Sequence, residues 1–347
     1  MPETNKQNIQ KVVTGLVKAL TPRNRDIVLR RFGLKNGQHE TLEAIGQSYG
    51  ITRERVRQIE NYIVKNLKAE LPAQLSAVRP YYDFVGKALK DNGGWLSEQA
   101  LFTEFSGAAQ PNTANRALAF LLSLNEEFVF SEETDERQAF YALDNESVAK
   151  AEKVIAATEE LFKKEQRSLP QAELVEKINL ANSLSEKEYL AALAISKTVS
   201  KNIFGEYGLS HWPEIKPKGV RDRAFLVLKR EAKPKHFREI ASLINTANFS
   251  NKKANIQTVH NELIKDGRFV LVGRGIYGLS EWGYRAGTVK DVLVNILKQN
   301  GKPLGKAELI SKVLDSRLVK ENTILLNLQD GKTFVRKGDG SYTLKEA

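Results

Sequence analysis

The 347-residue chain contains no cysteine. That excludes disulfides and every thiolate-bearing zinc site, and it is compatible with a reducing cytoplasm. Histidine is scarce: His39, His211, His236 and His260 stand far apart in sequence without metal-ligand spacing, and no Ser/His/Asp or Cys/His arrangement can be picked out. Gly273-Arg274-Gly275 lacks the Lys-Ser/Thr of a phosphate-binding loop and follows a strand-like run, so a hairpin turn accounts for it. Carboxylates such as Glu173 and Glu176 fall on amphipathic helices, where they are solvated faces. No apolar run is long enough to span a bilayer, and no signal-peptide apolar segment follows Met1. These absences predict a cytoplasmic, nucleoid-associated binding protein rather than an enzyme, with no metal, no cofactor, no small-molecule substrate and no membrane.

What the chain does have is charge, unevenly placed. Residues 1–72 hold 13 Lys/Arg against 7 Asp/Glu, residues 73–215 hold 14 against 22, and residues 216–347 hold 26 against 13, giving a net charge of +11 overall. Basic ends suit a polyanion such as double-stranded DNA, while the acidic middle suits a spacer or a protein contact. The length favours two or more domains, and 41% hydrophobic residues suffice for several small cores.

The most informative stretch is Thr41 to Glu60, TLEAIGQSYGITRERVRQIE. Leu42, Ile45 and Gly46 fall on one side of a first helix ending at Tyr49, and Gly50 suits the left-handed position that stops it. Thr52 caps a second helix, Thr52 to Leu67, in which Val56, Ile59, Ile63 and Leu67 form the buried stripe. Arg53, Glu54, Arg57 and Gln58 share the other face. In a helix-turn-helix the start of the second helix enters the major groove, where arginine can chelate guanine, glutamine adenine, and glutamate can accept from cytosine. Arg55 and Lys65 lie off that line and, with Thr41, are the candidates for phosphate contact. An Arg/Glu alternation is commonly only a salt-bridged surface. Here it coincides with the two-helix spacing, the turn glycine and the capping threonine.

Together with RDIVLRRFGL at Arg25 to Leu34, this stretch resembles region 4 of the sigma-70-type sigma factors of bacterial RNA polymerase, over about seventy residues. The resemblance implies reading of the upstream, minus-35 promoter element and docking on the flap of the polymerase β subunit. By motif position it implies that Arg53, Glu54 and Gln58 read bases while Arg55 and Arg57 lie at or near phosphates; helix geometry alone leaves Arg57 open between the two. After Glu60 the chain departs from the family, reading NYIVKNLKAEL. The helical domain that melts promoters in a complete sigma factor is not recognisable ahead of the motif, so an accessory or regulatory factor is expected.

Beyond residue 75 the chain repeats itself. Phe269 to Leu279 (FVLVGRGIYGL) and Phe334 to Leu344 (FVRKGDGSYTL) share Phe, Val, both Gly, Tyr and Leu in register. Each block predicts a hairpin with Gly-x-Gly at the turn and, in the first, Phe269, Leu271, Tyr277 and Leu279 inward. Three helices precede each one: 221–230, 236–244 and 256–265 before the first, and 289–298, 306–314 and 320–329 before the second. Three helices and a hairpin make a winged helix. YGLSHW at 207–212 against YGLSEW at 277–282, and the strands flanking the acidic tip Glu132 to Glu136, mark two more diverged copies.

The expected fold is therefore mainly α: a helix-turn-helix domain at 1–72, then winged-helix modules at 76–146, 147–215, 219–284 and 286–347, as separate small domains on short linkers. The module at 219–284, through FREIASLI and GRGIYGLSEW, resembles the HARE-HTH winged helix found in the delta subunit of RNA polymerase and beside some restriction nucleases. That resemblance implies an adaptor linked to nucleic acid or polymerase. In this module Arg274 would sit at the wing tip, with Gln257, Thr258, His260 and Asn261 on the third helix, where winged helices commonly meet DNA. The first reading is a DNA-binding transcription initiation factor that associates with RNA polymerase. The alternatives are a delta-like polymerase adaptor with secondary DNA contact, or the DNA-binding subunit of a restriction or nuclease system.

Overall fold

The fold is taken from a computed structural model that describes residues 3–182, 184–249, 252–284 and 287–345. It is mainly helical with small antiparallel sheets. Residues 1–201 with 205–210 form one compact unit, and residues 202–204 with 211–347 form a second. Residue 286, the expected start of the last module, lies outside the described residues, as do residues 1 and 347.

The first unit opens with α1 (Glu3–Lys18), α2 (Pro22–Arg31), α3 (Leu42–Tyr49) and α4 (Arg53–Glu70). Thr21 caps α2, its hydroxyl accepting from the Asn24 amide, with Pro22 at the first helical position where no N–H is needed. Arg25 closes the end of α1 by donating from Nε to Val17 O at 3.2 Å and from Nη2 to Leu20 O at 3.1 Å. It thereby satisfies carbonyls that a helix end leaves orphaned. A 3-10 turn at Leu71–Gln74 leads directly into α5 (Leu75–Lys90), which runs through Pro80.

There follow β1 (Trp95–Ser97), α6 (Glu98–Ser106), α7 (Thr113–Ser123), β2 (Val129–Ser131) and β3 (Phe140–Ala142), with sheet order β1-β3-β2. The same sequence of elements returns as α8 (Asn145–Glu165), β4 (Leu169–Pro170), α9 (Gln171–Asn182), α10 (Glu186–Leu193), β5 (Val199–Lys201) and β6 (Glu206–Leu209), with sheet order β4-β6-β5.

The second unit carries it twice more. First come α11 (Val220–Glu231), β7 (Lys235–His236), α12 (Phe237–Ala247), α13 (Ile256–Lys265), β8 (Phe269–Gly273) and β9 (Ile276–Leu279). Then come α14 (Val289–Asn300), α15 (Lys306–Leu314), α16 (Glu321–Leu328), β10 (Phe334–Arg336) and β11 (Tyr342–Leu344). In the last copy Leu304 exchanges both backbone bonds with Tyr342, at 3.1 and 2.8 Å, where the other copies have a short strand. That short strand, paired with the final strand of the hairpin in the first three copies and reduced to a bridge in the fourth, is the part the repeat did not reveal. Two or three residues are too few for alternation to register.

Three expectations need correction. The boundary at 72/76 falls inside a continuous core: Ile9, Val13, Leu16 and Val17 of α1, Val28 of α2 and Ile63 and Leu67 of α4 pack in one cluster with Val78, Tyr82, Leu89, Leu118, Phe120 and Leu121. Phe32 meets Phe120 edge-on with ring centroids 4.8 Å apart. The head and the first repeat are thus not separate small domains on a linker. The boundary at 146/147 falls inside α8, because Asp144 caps that helix through the Ser147 amide at 2.7 Å. Leu271, expected inward, is 48% exposed, whereas Val270 and Val272 are buried. Phe269, two residues before Leu271 on the same face, is buried, so the alternation fails only near the hairpin tip, where the ladder shifts register between Leu271 and Gly273. Val272 O accepts from the Leu318 amide at 2.9 Å and Leu271 O from the Arg317 guanidinium, so the next repeat covers the β8 edge, and Leu271 lies outside the cluster that holds Phe269.

The turn between α3 and α4 depends on close approach. A Cβ added to Gly46, itself buried within α3, would lie 2.6 Å from the backbone oxygen of Ile51, and Gly50 holds φ at 65°. Gly46→Ala forces the two helices apart and should cost about 1–3 kcal/mol, the usual range for overpacking. Denaturant unfolding of the variant against the parent protein checks this, and an unchanged midpoint contradicts it.

Candidate nucleic-acid interface

Helices α2, α3 and α4 meet on Ile27, Ile45 and Val56, all fully buried, with Leu42, Tyr49, Ile51 and Ile59 around them. Polar ties fix the arrangement. Arg30 grips Glu40 through Nη2 at 2.6 Å and Nε at 3.0 Å and reaches Ser48 Oγ at 2.8 Å. This fork holds the Glu40 carboxyl below the usual carboxylate range. Arg31 pairs with Glu60 of α4 at 3.2 Å, and Tyr49 donates to Asp26 at 2.7 Å. The arginines of RDIVLRRFGL thus set the scaffold and leave the outer face of α4 to other residues.

Local signals place that face. Thr52 caps α4 by accepting from the Arg55 amide at 3.2 Å, and Gly50 takes the left-handed conformation that ends α3. Val56, Ile63 and Leu67 are buried, Ile59 partly so, and Arg53, Glu54, Arg55, Arg57, Gln58 and Lys65 all stand exposed. The structure therefore brings the base and phosphate candidates of α4 onto one open surface.

Several of them are paired with each other. Glu54 receives a two-pronged bond from Arg57 at 2.7 and 2.8 Å, and Arg55 donates to Gln58 at 3.0 Å. The Arg57 bond holds the Glu54 carboxyl below its ordinary range, and Glu54 in turn raises Arg57. Exposed pairs three residues apart are weak and screened by water, so they exchange readily for stronger contacts to base edges or phosphates. Thr41 Oγ caps α3 by accepting from the Ala44 amide at 3.1 Å, which leaves an exposed helix start suited to a phosphate.

Sequence reasoning missed Tyr62, 62% exposed on α4 between Gln58 and Lys65, and Arg116, which reaches from α7 to Gly37 O and His39 Nδ1 beside Thr41. Tyr62 was legible as a residue outside the buried stripe. Arg116 was not, since 77 residues separate it from His39.

The second-unit candidates divide. Gln257, Thr258 and Asn261 are exposed on α13, Gln257 bonded to Asn261 at 3.1 Å, and Arg274 is exposed at the hairpin tip. His260 is half-buried, stacked on Phe237 with centroids 4.3 Å apart and edge-on to Tyr277 at 5.9 Å. It belongs to the packing between α13, α12 and the hairpin more than to the open face. Arg268 joins Asp266 and Asp222 at 2.7 and 2.9 Å, tying the hairpin to α11, and holds the Asp266 carboxyl below its usual range.

No group of three or more metal-ligating side chains occurs among the described residues, and among them no helix is long and apolar enough to cross a membrane. Comparison with known proteins gives a match to one family model, Sigma-70, region 4, over residues 16–69. Over 66 residues the chain is 41% identical to RNA polymerase sigma factor SigA1 of Synechococcus elongatus, which is 19% of this chain and 16% of that protein. It is 39% identical over 66 residues to RNA polymerase sigma factor SigA of Microcystis aeruginosa, with the same coverage. The RNA polymerase sigma-C factor of a Nostoc species is 36% identical over 78 residues, 22% of this chain and 18% of the relative. The chain thus spans less than a fifth of the length of these curated relatives, and the likeness is confined to the head. Residues 16–69 are a Sigma-70 region 4 domain.

Proposed function

We propose that this protein is a DNA-binding transcription factor of sigma-like type that reads promoter duplexes, minus-35-like in character, through the outer face of α4. The observation that carries the reading is the exposed row Arg53, Glu54, Arg57 and Gln58 at the start of a capped helix whose opposite stripe is buried. Arg55, Lys65 and the Thr41 helix start hold phosphates. We read the four repeats as winged helices, the third of HARE-HTH type. The recurring order of helix, short strand, two helices and hairpin supports this. Gln257, Thr258, Asn261 and Arg274 then give the basic second unit contacts to flanking DNA. The protein has no catalytic role, and it associates with bacterial RNA polymerase, the enzyme for which its relatives are named.

The alternative is an adaptor that docks its head on the polymerase flap, with DNA contact secondary. One observation weighs against it. The apolar side of α1, α2 and α4 is already covered by α5 and α7 of the same chain, and Tyr62 is the only large hydrophobic of residues 8–74 that stands well exposed among the described residues. A protein docking on the head has little apolar surface to bury.

Equilibrium binding to a short duplex across a range of salt tests the assignment. Lys65→Ala should reduce the salt slope of the binding constant by about one and weaken all sequences equally, as removal of a phosphate contact does. Arg53→Ala should change which sequences are preferred. A Lys65 variant with altered preference, or binding indifferent to salt, contradicts these roles.

A further inference from the structure

Within the first unit a cleft of about 440 Å³ lies between the head and the first repeat. That volume is within the roughly 300–1,000 Å³ of small-ligand sites. One wall is aromatic. Phe130 of β2 and Tyr141 of β3 are directly opposed in the ladder, their ring centroids 4.8 Å apart and tilted by 42°, and Phe128 lines the same wall. Tyr141 is buried, but Phe130 is 45% exposed, leaving a ring face open to a stacking partner.

The remaining walls are polar. Arg116 donates through Nε to Gly37 O and meets His39 Nδ1 through Nη2, both at 3.4 Å, leaving Nη1 without an acceptor among the described residues. Arg31 adds a second guanidinium, oriented by its 3.2 Å bond to Glu60. Glu98, half-buried at the start of α6, makes no ion pair within 4 Å among the described residues; burial pushes its carboxyl above the usual range while Arg116 pulls it down.

A ring platform, two guanidiniums and a carboxyl around one cleft match a flat heteroaromatic ring that carries a phosphate. A purely apolar ligand would leave Arg116 Nη1 and the Glu98 carboxyl without a partner in a site closed to water, which is unfavourable. A bare anion would leave the aromatic wall unused. A base stacks on such a ring whatever its identity, and a phosphate takes arginine in two-pronged geometry. Glu98 can bond the hydrogen-bonding edge of a base.

We propose that this cleft binds a single unstacked nucleotide, its base on Phe130 and Tyr141 and its phosphate on Arg116 and Arg31. The nucleotide is either free in solution or an unpaired residue of a strand. Arg31 and His39 also line the shallow depression that holds Thr41 and Arg53, so the cleft opens beside the duplex-reading end of α4. An occupied cleft can therefore communicate with that helix through Arg31 and its partner Glu60.

Calorimetric titration of the full chain tests this with adenosine, guanosine, cytidine and thymidine 5′-monophosphates, a short single-stranded oligonucleotide, and ribose 5-phosphate as the base-free control. Saturable binding of a mononucleotide or the oligonucleotide is expected, with none of ribose 5-phosphate. Phe130→Ala and Arg116→Gln should each weaken it at least about tenfold, in line with removal of a stack or a charged contact. Phe130→Tyr, which keeps the ring, should retain it. Thermal melting confirms that the variants fold, and duplex binding through Arg53, which does not rest on the cleft, should persist. A mononucleotide that binds identifies a free nucleotide as the source, and binding of the oligonucleotide alone identifies a strand. The proposal is overturned if neither binds, or if both alanine and glutamine variants bind as the parent does.

Discussion

Arg53→Glu combined with Arg57→Glu should lower affinity for duplex DNA by about a hundredfold or more while the protein stays folded. Each good contact to a base edge contributes about 1–3 kcal/mol, two are removed, and two carboxylates are placed against phosphates. Both side chains are exposed, Arg57 by about half, and within the protein the double reversal breaks the ion pair of Arg57 with Glu54. That pair and the like-charge repulsion replacing it are both exposed and weakened by solvent, so the melting temperature should move little. Fluorescence anisotropy on a labelled duplex reads the affinity, and co-purification with RNA polymerase reads the second partner. Retained polymerase binding with abolished DNA binding is the expected pair of results. If DNA binding survives the double reversal, α4 is not the reading helix.

The second large effect is structural. Phe120→Ala removes a fully buried ring that meets Phe32 of the head, and such truncations cost about 3–5 kcal/mol. Because the head and the first repeat share one core, the damage should not stay where the mutation is. Hydrogen exchange should show α1 and α2 losing protection together with α5 and α7. Separate domains would behave differently: the head would keep its protection while the first repeat alone opened. The contacts that make the difference are polar as well as apolar. Arg116 reaches Gly37 and His39, and Lys68 pairs with Glu126 at 3.5 Å.

The same contacts explain which parts of the molecule could be read from the sequence. The α3–α4 motif is written in local terms: two capping threonines, a glycine in the left-handed conformation, and a stripe at helical spacing. Each acts over three or four residues, so each is visible in a single sequence. The repeated hairpins were visible for a similar reason, through Gly-x-Gly flanked by Phe and Tyr.

The merged core was not, because Phe32 and Phe120, or Arg116 and Gly37, are brought together by the fold of the whole unit across some eighty residues or more. The helix α5 that links head and repeat also runs unbroken through Pro80, so the chain offers no break where a boundary was expected. Leu271 shows a related limit. Alternation separates two faces of a strand, but β8 buries Phe269 on one face and Val270 and Val272 on the other, and the ladder shifts register after Leu271. The exposed row on α4 was legible residue by residue; the aromatic cleft beside it, built from both sides of the shared core, was not.

Selection from a pool of random duplexes with the full chain at fixed salt, run with and without bacterial RNA polymerase, decides whether this protein reads duplex DNA by itself through α4. A motif enriched by the protein alone, and changed at defined positions by Arg53→Ala or Gln58→Ala, is expected. Enrichment that appears only when polymerase is present, or a motif unmoved by those substitutions, would contradict this role of α4.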